Sequence, residues 1–453
     1  MFRGSLVAQL FILIILLGTT NLTNAQNTEK VWTLQECLDY ALQNSISLKQ
    51  SVLDIRQSAA TLNQSKLSRY PNIGGSSSYN LGFGRATDPV NNISVPSNAQ
   101  NGSLNLGGSM TIFNGFAIKN TIQMNEMGLE LSELNQQAQK DQVLLDVLGA
   151  YLTVLLNAED LNRAEAQIEL SIANLDNSAK LVEGGVIPEG NLRELEAQLA
   201  SDELVVIQAQ NSLNIAYLVL ALALQLESQD GMSIEIPNQD QIDAMLISED
   251  WNTQDIFNYA SKNLARYSSM DLAILMAEQN VLVAKSGHYP SLSINAGVGT
   301  SFFKPLQDSF NLFEIAPQFN NNFSESVGLS LNIPIFSNGI NKLQVENAQI
   351  AVERQRVVNE TELNFLRQTI EQAVADAKAA AASYTAALKL VSARSNAMDF
   401  AEKKFNAGSS TSFEFNNARN LMTTSQADLI RAKYNYLFAR LTIDYYRGRP
   451  VTF

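Results

Sequence analysis

The segment Trp32-Thr33-Leu34-Gln35-Glu36-Cys37-Leu38-Asp39-Tyr40-Ala41-Leu42-Gln43-Asn44 recurs 219 positions later as Trp251-Asn252-Thr253-Gln254-Asp255-Ile256-Phe257-Asn258-Tyr259-Ala260-Ser261-Lys262-Asn263. Tyr70-Pro71 recurs at the same spacing as Tyr289-Pro290. Farther along, Ile112-Phe113 matches Ile335-Phe336 and Gly185 matches Gly408, both 223 positions apart. A chain that holds register over such distances is a tandem duplication, so whatever one half folds into, the other half folds into as well. The copies span 26–227 and 251–447, with a polar linker over 228–250 and a tail over 448–453. Duplication also sets the meaning of single residues. Cys37 stands where the second copy has Ile256 and reads as a small apolar helix residue rather than a reactive thiol. His288 stands where the first copy has Arg69 and reads as a polar boundary position.

Arg3, the apolar run Leu10 to Leu17 and the small, polar stretch Gly18 to Ala25 follow the order of a secretory signal peptide over 1–25, cut after Ala25. After that leader no run approaches the roughly 20 apolar residues of a membrane helix. If this chain crosses a membrane, it does so with strands.

Both copies open on a helix start. Thr33 with Glu36 forms a capping box, and Asn252 with Asp255 is a weaker analogue. A second helical stretch ends at Tyr70-Pro71 or Tyr289-Pro290. The period then changes to two. Ile73, Tyr79, Leu81 and Phe83 fall on one face, against Asn72, Gly74, Ser76, Ser78 and Asn80 on the other. Leu104, Leu106, Met110 and Ile112 alternate in the same way with Ser103, Asn105, Ser109 and Thr111. In the second copy Leu292, Ile294, Ala296 and Val298, then Val327, Leu329, Leu331 and Ile333, repeat the pattern.

These runs predict strands at about 72–84, 102–113, 291–302 and 326–336, each near the 9 to 11 residues that span a bilayer when tilted. Tyr79, Leu81, Leu104, Leu106, Leu292, Ile294, Leu329 and Leu331 are the candidate lipid-facing positions. The loops over 85–101 and 303–323 are long and asparagine-rich, like the external loops of an outer-membrane barrel. A water-soluble antiparallel sheet laid on a helix shows the same alternation. Two features weigh against it: the polar faces are nearly free of charge, and the helical segments that follow are far longer than the strands.

No proline lies between Pro96 and Pro188 or between Pro334 and Pro450. Helices are predicted over about 116–182 and 340–405, each on the order of 100 Å long at 1.5 Å per residue. Leu144, Val147, Leu148, Tyr151 and Leu155 recur at the spacing of helices packed side by side. The long helices end at Gly184-Gly185 and Ala407-Gly408, where glycine supplies the left-handed conformation of a helix end. Returning helices follow over about 191–226 and 412–446.

Four membrane strands leave two open edges, and unpaired backbone in lipid is costly, so such a chain must oligomerise. Single-chain bacterial barrels start at eight strands, which requires at least two copies; three would supply twelve strands, and strand counting does not choose between them. Lys and Arg number 31 against 45 Asp and Glu, a net charge of −14 that becomes −15 when the leader takes Arg3 with it. That balance excludes a nucleic-acid footprint. One cysteine and one histidine build neither a zinc site nor a disulfide framework. No phosphate loop or acid-base constellation stands out, so an enzyme lacks support and no cofactor is implied.

The stretches Val182-Glu183-Gly184-Gly185-Val186-Ile187, Phe405-Asn406-Ala407-Gly408 and Ala427-Asp428-Leu429-Ile430-Arg431-Ala432-Lys433-Tyr434-Asn435-Tyr436-Leu437, together with the duplicated helix-strand-strand-helix order, resemble the TolC family of outer-membrane channels over essentially the whole mature chain. That resemblance implies a mixed α/β membrane protein. Its homotrimer would form a 12-stranded outer-membrane β-barrel continuous with a periplasmic α-helical barrel. It implies an exit duct for a tripartite efflux pump or a type I secretion system, partnered by a periplasmic adaptor and, through it, an inner-membrane pump. The competing reading is a periplasmic coiled-coil scaffold without channel activity.

By the same resemblance, Gly184, Gly185, Val186, Ala407, Gly408 and Ser409 are the adaptor-docking tips, although helix capping alone explains the glycines. Acidic rings narrow the family's entrance, and the aligned positions here are Glu414 and Asn417. Glu414 equally suits the first turn of any helix. The Asp–Arg pair that ties the closed tip in the family's best-known member aligns with Asn191 and Ser410, a neutral pair, so closure is assigned to packing around Phe405 rather than to salt bridges.

Overall fold

The computed structural model describes residues 30–87, 92–96, 98–229, 231–237, 242, 245–246, 249–306 and 312–449. The leader over 1–25 and the end of the tail lie outside these residues. In chain order the elements are β1 (Lys30–Trp32), α1 (Leu34–Asn44), α2 (Ile46–Leu67), β2 (Asn72–Gly82), β3 (Arg85–Thr87), β4 (Ser94–Pro96), β5 (Ala99–Asn114), α3 (Ala117–Glu183), α4 (Glu189–Ala223) and β6 (Met232–Ile234). There follow α5 (Thr253–Asn263), α6 (Ala265–Lys285), β7 (Ser291–Pro305), α7 (Leu312–Asn321), β8 (Ser324–Asn332), α8 (Ile340–Asn406) and α9 (Ser412–Tyr446). Helices α3 and α8 are each 67 residues long.

The chain divides into two compact units. One comprises residues up to 48, 140–259 and 369 onward. Its core is helix against helix: Cys37, Leu38 and Ala41 of α1 pack with Val147, Leu148, Tyr151 and Leu155 of α3, Leu213, Ala216 and Leu220 of α4, and Tyr434, Leu437 and Leu441 of α9. The Thr33–Glu36 capping box that starts α1 is complete, an arrangement that contributes about 1 kcal/mol. By length and composition α3 and α4 each contain a stretch apolar enough to cross a membrane, although polar residues interrupt it. In α3, Val147, Val154 and Leu155 are spent on the core.

The segment 228–250 is more than a linker. Its β6 pairs in parallel with β1, Trp32 opposite Ile234, and Ile234 and Ile242 are buried. Tyr151 donates to the Glu235 carbonyl at 2.7 Å. At its end Glu249 faces Arg440, Arg447 and Arg449; the hydrogen bond from Arg447, at 2.8 Å, holds its carboxyl below the ordinary carboxylate range.

The other unit, residues 49–139 and 260–368, carries the principal sheet, antiparallel throughout in the order β2-β5-β7-β8. Within it α2 meets α3 through Ser58 and Ser132 at 2.7 Å, and α6 meets α8 through Val281, Ala348 and Val352. β8 stops at Asn332 rather than continuing to 336, since Pro334 has no N–H to give a ladder.

The long connections hold structure that their composition does not announce. β3 and β4 pair with each other in antiparallel fashion, and 312–321 form α7, which lies on β7. Thr300 donates to the Phe319 carbonyl at 2.6 Å, and the Phe302 and Phe319 rings meet edge to face at 5.6 Å. Phe302 also lies over Gly102, where an added Cβ would collide with its ring.

Candidate functional site

Two regions carry the predicted functional residues. In the sheet unit, opposed residues share a face, so the register Gly75↔Leu106↔Val298 and Ile73↔Gly108↔Ala296↔Val327 defines one side. Leu81, Leu104, Leu106, Leu329 and Leu331 are exposed on it, while Leu292 and Ile294 are half-buried. Tyr79 is exposed but not idle: its hydroxyl donates to Gln100 at 2.9 Å. The other side carries Asn72, Gly74, Ser109, Asn295, Gly297, Ser326 and Gly328 around a hollow of about 630 Å³. One flank of the sheet is therefore mainly apolar and open, its charged residues Glu325 and Lys304 lying toward one end opposite Val298 and Gln100, and the other is small and uncharged. Strands β2 and β8 each leave one side unpaired among the described residues. A two-faced sheet with free edges suits a bilayer and a neighbouring strand.

In the first unit the two glycine turns are built alike. Val186 N–H bonds to the Leu181 carbonyl and Gly185 N–H to Val182, both at 2.9 Å; Ser409 bonds to Lys404 and Gly408 to Phe405 at the same distance. These are Schellman caps, with Gly185 at φ 68° and Gly408 at φ 69°. The turns adjoin, since a Cβ on Gly408 would lie 3.9 Å from a Val186 methyl. Val186 is 59% exposed, and Phe413, in the first turn of α9, is 72% exposed. Beneath them Ile187, Leu195, Phe405 and Phe415 form a small core, with the two phenyl rings stacked at 4.8 Å. Such a ring pair contributes about 0.5–1.5 kcal/mol beyond its buried area.

Asn191 and Ser410 are not joined. Ser410 donates to the Glu414 carboxylate at 2.6 Å, one turn away. Asn191 instead accepts from Ser412 at 3.2 Å, and Ser412 also meets Glu194. The link between the turns thus falls on Ser412, two positions past Ser410 and just inside the N-cap: Thr411 caps α9 by accepting from Glu414 N–H at 3.2 Å, which turns Ser412 inward. Glu414 and Asn417, three residues apart on α9, are both exposed.

The same unit also holds a buried ion pair. Arg419 of α9, 2% exposed, meets Asp202 of α4. Asp202 further accepts from Ser171 of α3 and from Gln198 at 2.9 Å. Gln167 of α3, with its amide turned so that the oxygen accepts from Arg419 Nε at 3.0 Å, donates to Thr423 at 3.1 Å. Desolvation pulls the Arg419 guanidinium down from its ordinary value, against the opposing pull of Asp202. Three helices are fastened at this one point. A helical run with Asp202 and Arg419 at apolar-stripe positions was the only sign of it in the sequence.

A duplicated chain that joins an open-edged, two-faced sheet to a pair of 67-residue helices with matched glycine turns is the architecture of an outer-membrane channel subunit. The family model of outer membrane efflux proteins matches residues 37–224 and 268–449, and the chain belongs to that family. It is accordingly an outer-membrane protein with its helical part in the periplasm, in a family of channels rather than enzymes. Outer membrane protein TolC of Escherichia coli strain K12 is 22% identical over 434 residues, covering 94% of this chain and 83% of that protein. Among solved structures, CusC matches with a TM-score of 0.77 at 17% identity over 92% of each chain. The outer membrane protein VceC of Vibrio cholerae matches at 0.74 with 17% identity, over 92% of this chain and 96% of that one.

Proposed function

We propose that three copies close their sheets into a 12-stranded barrel and that the assembly is the exit duct of a tripartite efflux pump or type I secretion system. In this reading substrates pass from an inner-membrane transporter and its adaptor to the exterior. The observation that carries it is the pair of unpaired strand edges on a sheet whose apolar flank is open: one chain alone cannot satisfy them in lipid. A periplasmic scaffold has no use for exposed Leu104, Leu106, Leu329 and Leu331 on one flank.

The glycine turns are the docking points for the adaptor, with Val186 and Phe413 as the apolar contacts. Val186→Asp sets a carboxylate in that contact and leaves the Schellman hydrogen bonds in place. Export falls to background while the oligomer remains intact; unchanged export with unchanged adaptor cross-linking overturns the docking assignment.

Glu414 forms the one acidic ring at the constriction, with neutral Asn417 a turn farther along. Three carboxylates brought together favour cations, aided by the acidic chain. Purified oligomers in planar bilayers should therefore give a cation-selective reversal potential under a salt gradient, shifted toward zero by Glu414→Gln. Identical potentials in both proteins remove the ring assignment and leave Glu414 as the first-turn partner of Ser410.

A further inference from the structure

The principal sheet is built by one step applied twice. Shifting β2 by 219 positions gives β7 and shifting β5 by 223 gives β8, and under those shifts the two hairpins pair identically. Gly75↔Leu106 becomes Ile294↔Leu329, Ile73↔Gly108 becomes Leu292↔Leu331, and Ser77↔Leu104 becomes Ala296↔Val327. The hairpins are joined by β5 against β7, where Leu104↔Thr300, Leu106↔Val298 and Gly108↔Ala296 are partners. Carrying the same shifts one step farther takes β5 to β8 and returns β7 to β2.

From this we infer that β8 pairs with β2 of a second copy of this chain in the register Val327↔Leu81, Leu329↔Tyr79 and Leu331↔Ser77. The inference rests on the barrel reading above and specifies the contact that closes it. Every one of these six residues lies on the apolar flank, so the copied register keeps the faces matched. Both edges present apolar side chains on that flank for cross-strand contact: Val327 is 78% and Leu329 70% exposed on β8, and Leu81 and Tyr79 are about half exposed on β2. The irregularity of the internal junction has its counterpart too. The β5–β7 ladder shifts between Thr111 and Phe113, and Pro334, which has no N–H for a ladder, stands 223 positions after Thr111. The spacing persists into the turns, where two consecutive residues of positive φ, Gly115–Phe116 and Asn338–Gly339, lead into the long helices.

A slip of one residue would set apolar side chains on the polar flank and is excluded on that ground. A slip of two would keep the faces and place Val327 opposite Tyr79 or Phe83, so the experiment compares these registers. In a Cys37→Ala background, Val327→Cys is combined in turn with Leu81→Cys, Tyr79→Cys and Phe83→Cys, and oligomers purified from outer membranes are oxidised and run on denaturing gels. Directly opposed Cβ atoms lie about 4.5–5.5 Å apart and diagonal ones about 7–8 Å. The Val327/Leu81 combination should give covalent oligomers in several-fold higher yield than either other pair. A slipped pair that links as well or better overturns the register, as do intact oligomers that link in none of the three. A wild-type chain that forms no oligomer in the outer membrane removes the barrel reading itself, and the register with it.

Discussion

Leu106→Arg abolishes the heat-modifiable oligomer in the outer membrane. Leu106 sits near the middle of β5, is about half exposed, and shares its flank with Gly75 and Val298. A cation at the centre of a barrel's lipid face removes about 2–4 kcal/mol, a large part of a typical stability of about 5–15 kcal/mol. Leu331→Asp, closer to the end of its strand, acts in the same direction with smaller effect. Ser330→Asn, on the opposite flank, leaves assembly near wild type. The measurement is the fraction of outer-membrane protein that migrates as oligomer before boiling. Normal assembly of Leu106→Arg places that flank away from lipid.

Asp202→Leu gives the largest effect expected in the helical region. It leaves Arg419 buried, charged and without its carboxylate, and breaking such a pair from one side costs about 3–5 kcal/mol. Removing both charges in Asp202→Leu/Arg419→Leu restores most of that loss, because the desolvation penalty goes with the charge. Arg419 Nη1 already lacks a partner among the described residues, so the guanidinium has little to fall back on. The pair ties α9, which carries Glu414 and Ser412, to α3 and α4. Loosening it should therefore raise the resting conductance of single channels in the Asp202→Leu protein and return it toward wild type in the double variant. Equal thermal stability of wild type and Asp202→Leu would show that the pair holds nothing.

The duplication, the two-residue period of the strands, the capping box at Thr33 and the glycine turns were all legible in the sequence, because each is a local pattern that neighbouring residues determine together. Cys37 was legible as a core residue for the same reason, through Ile256 in the other copy. Even the open edges followed from counting four strands.

What the sequence could not show are the contacts between residues far apart along the chain. Ser412 reaches Asn191 and Arg419 reaches Asp202 across more than 200 residues, and no local period tells which residue partners which. An internal proline, Pro317, concealed α7, and brevity concealed the pairing of β6 with β1, since short elements gain their stability from the surface they land on rather than from their own propensity. Local patterning thus determined which segments became helices and strands and which flanks they present. The tertiary structure decided which hydroxyl links the two turns, which charge is buried between helices and how one strand meets the next, because those depend on where distant parts of the chain are brought together.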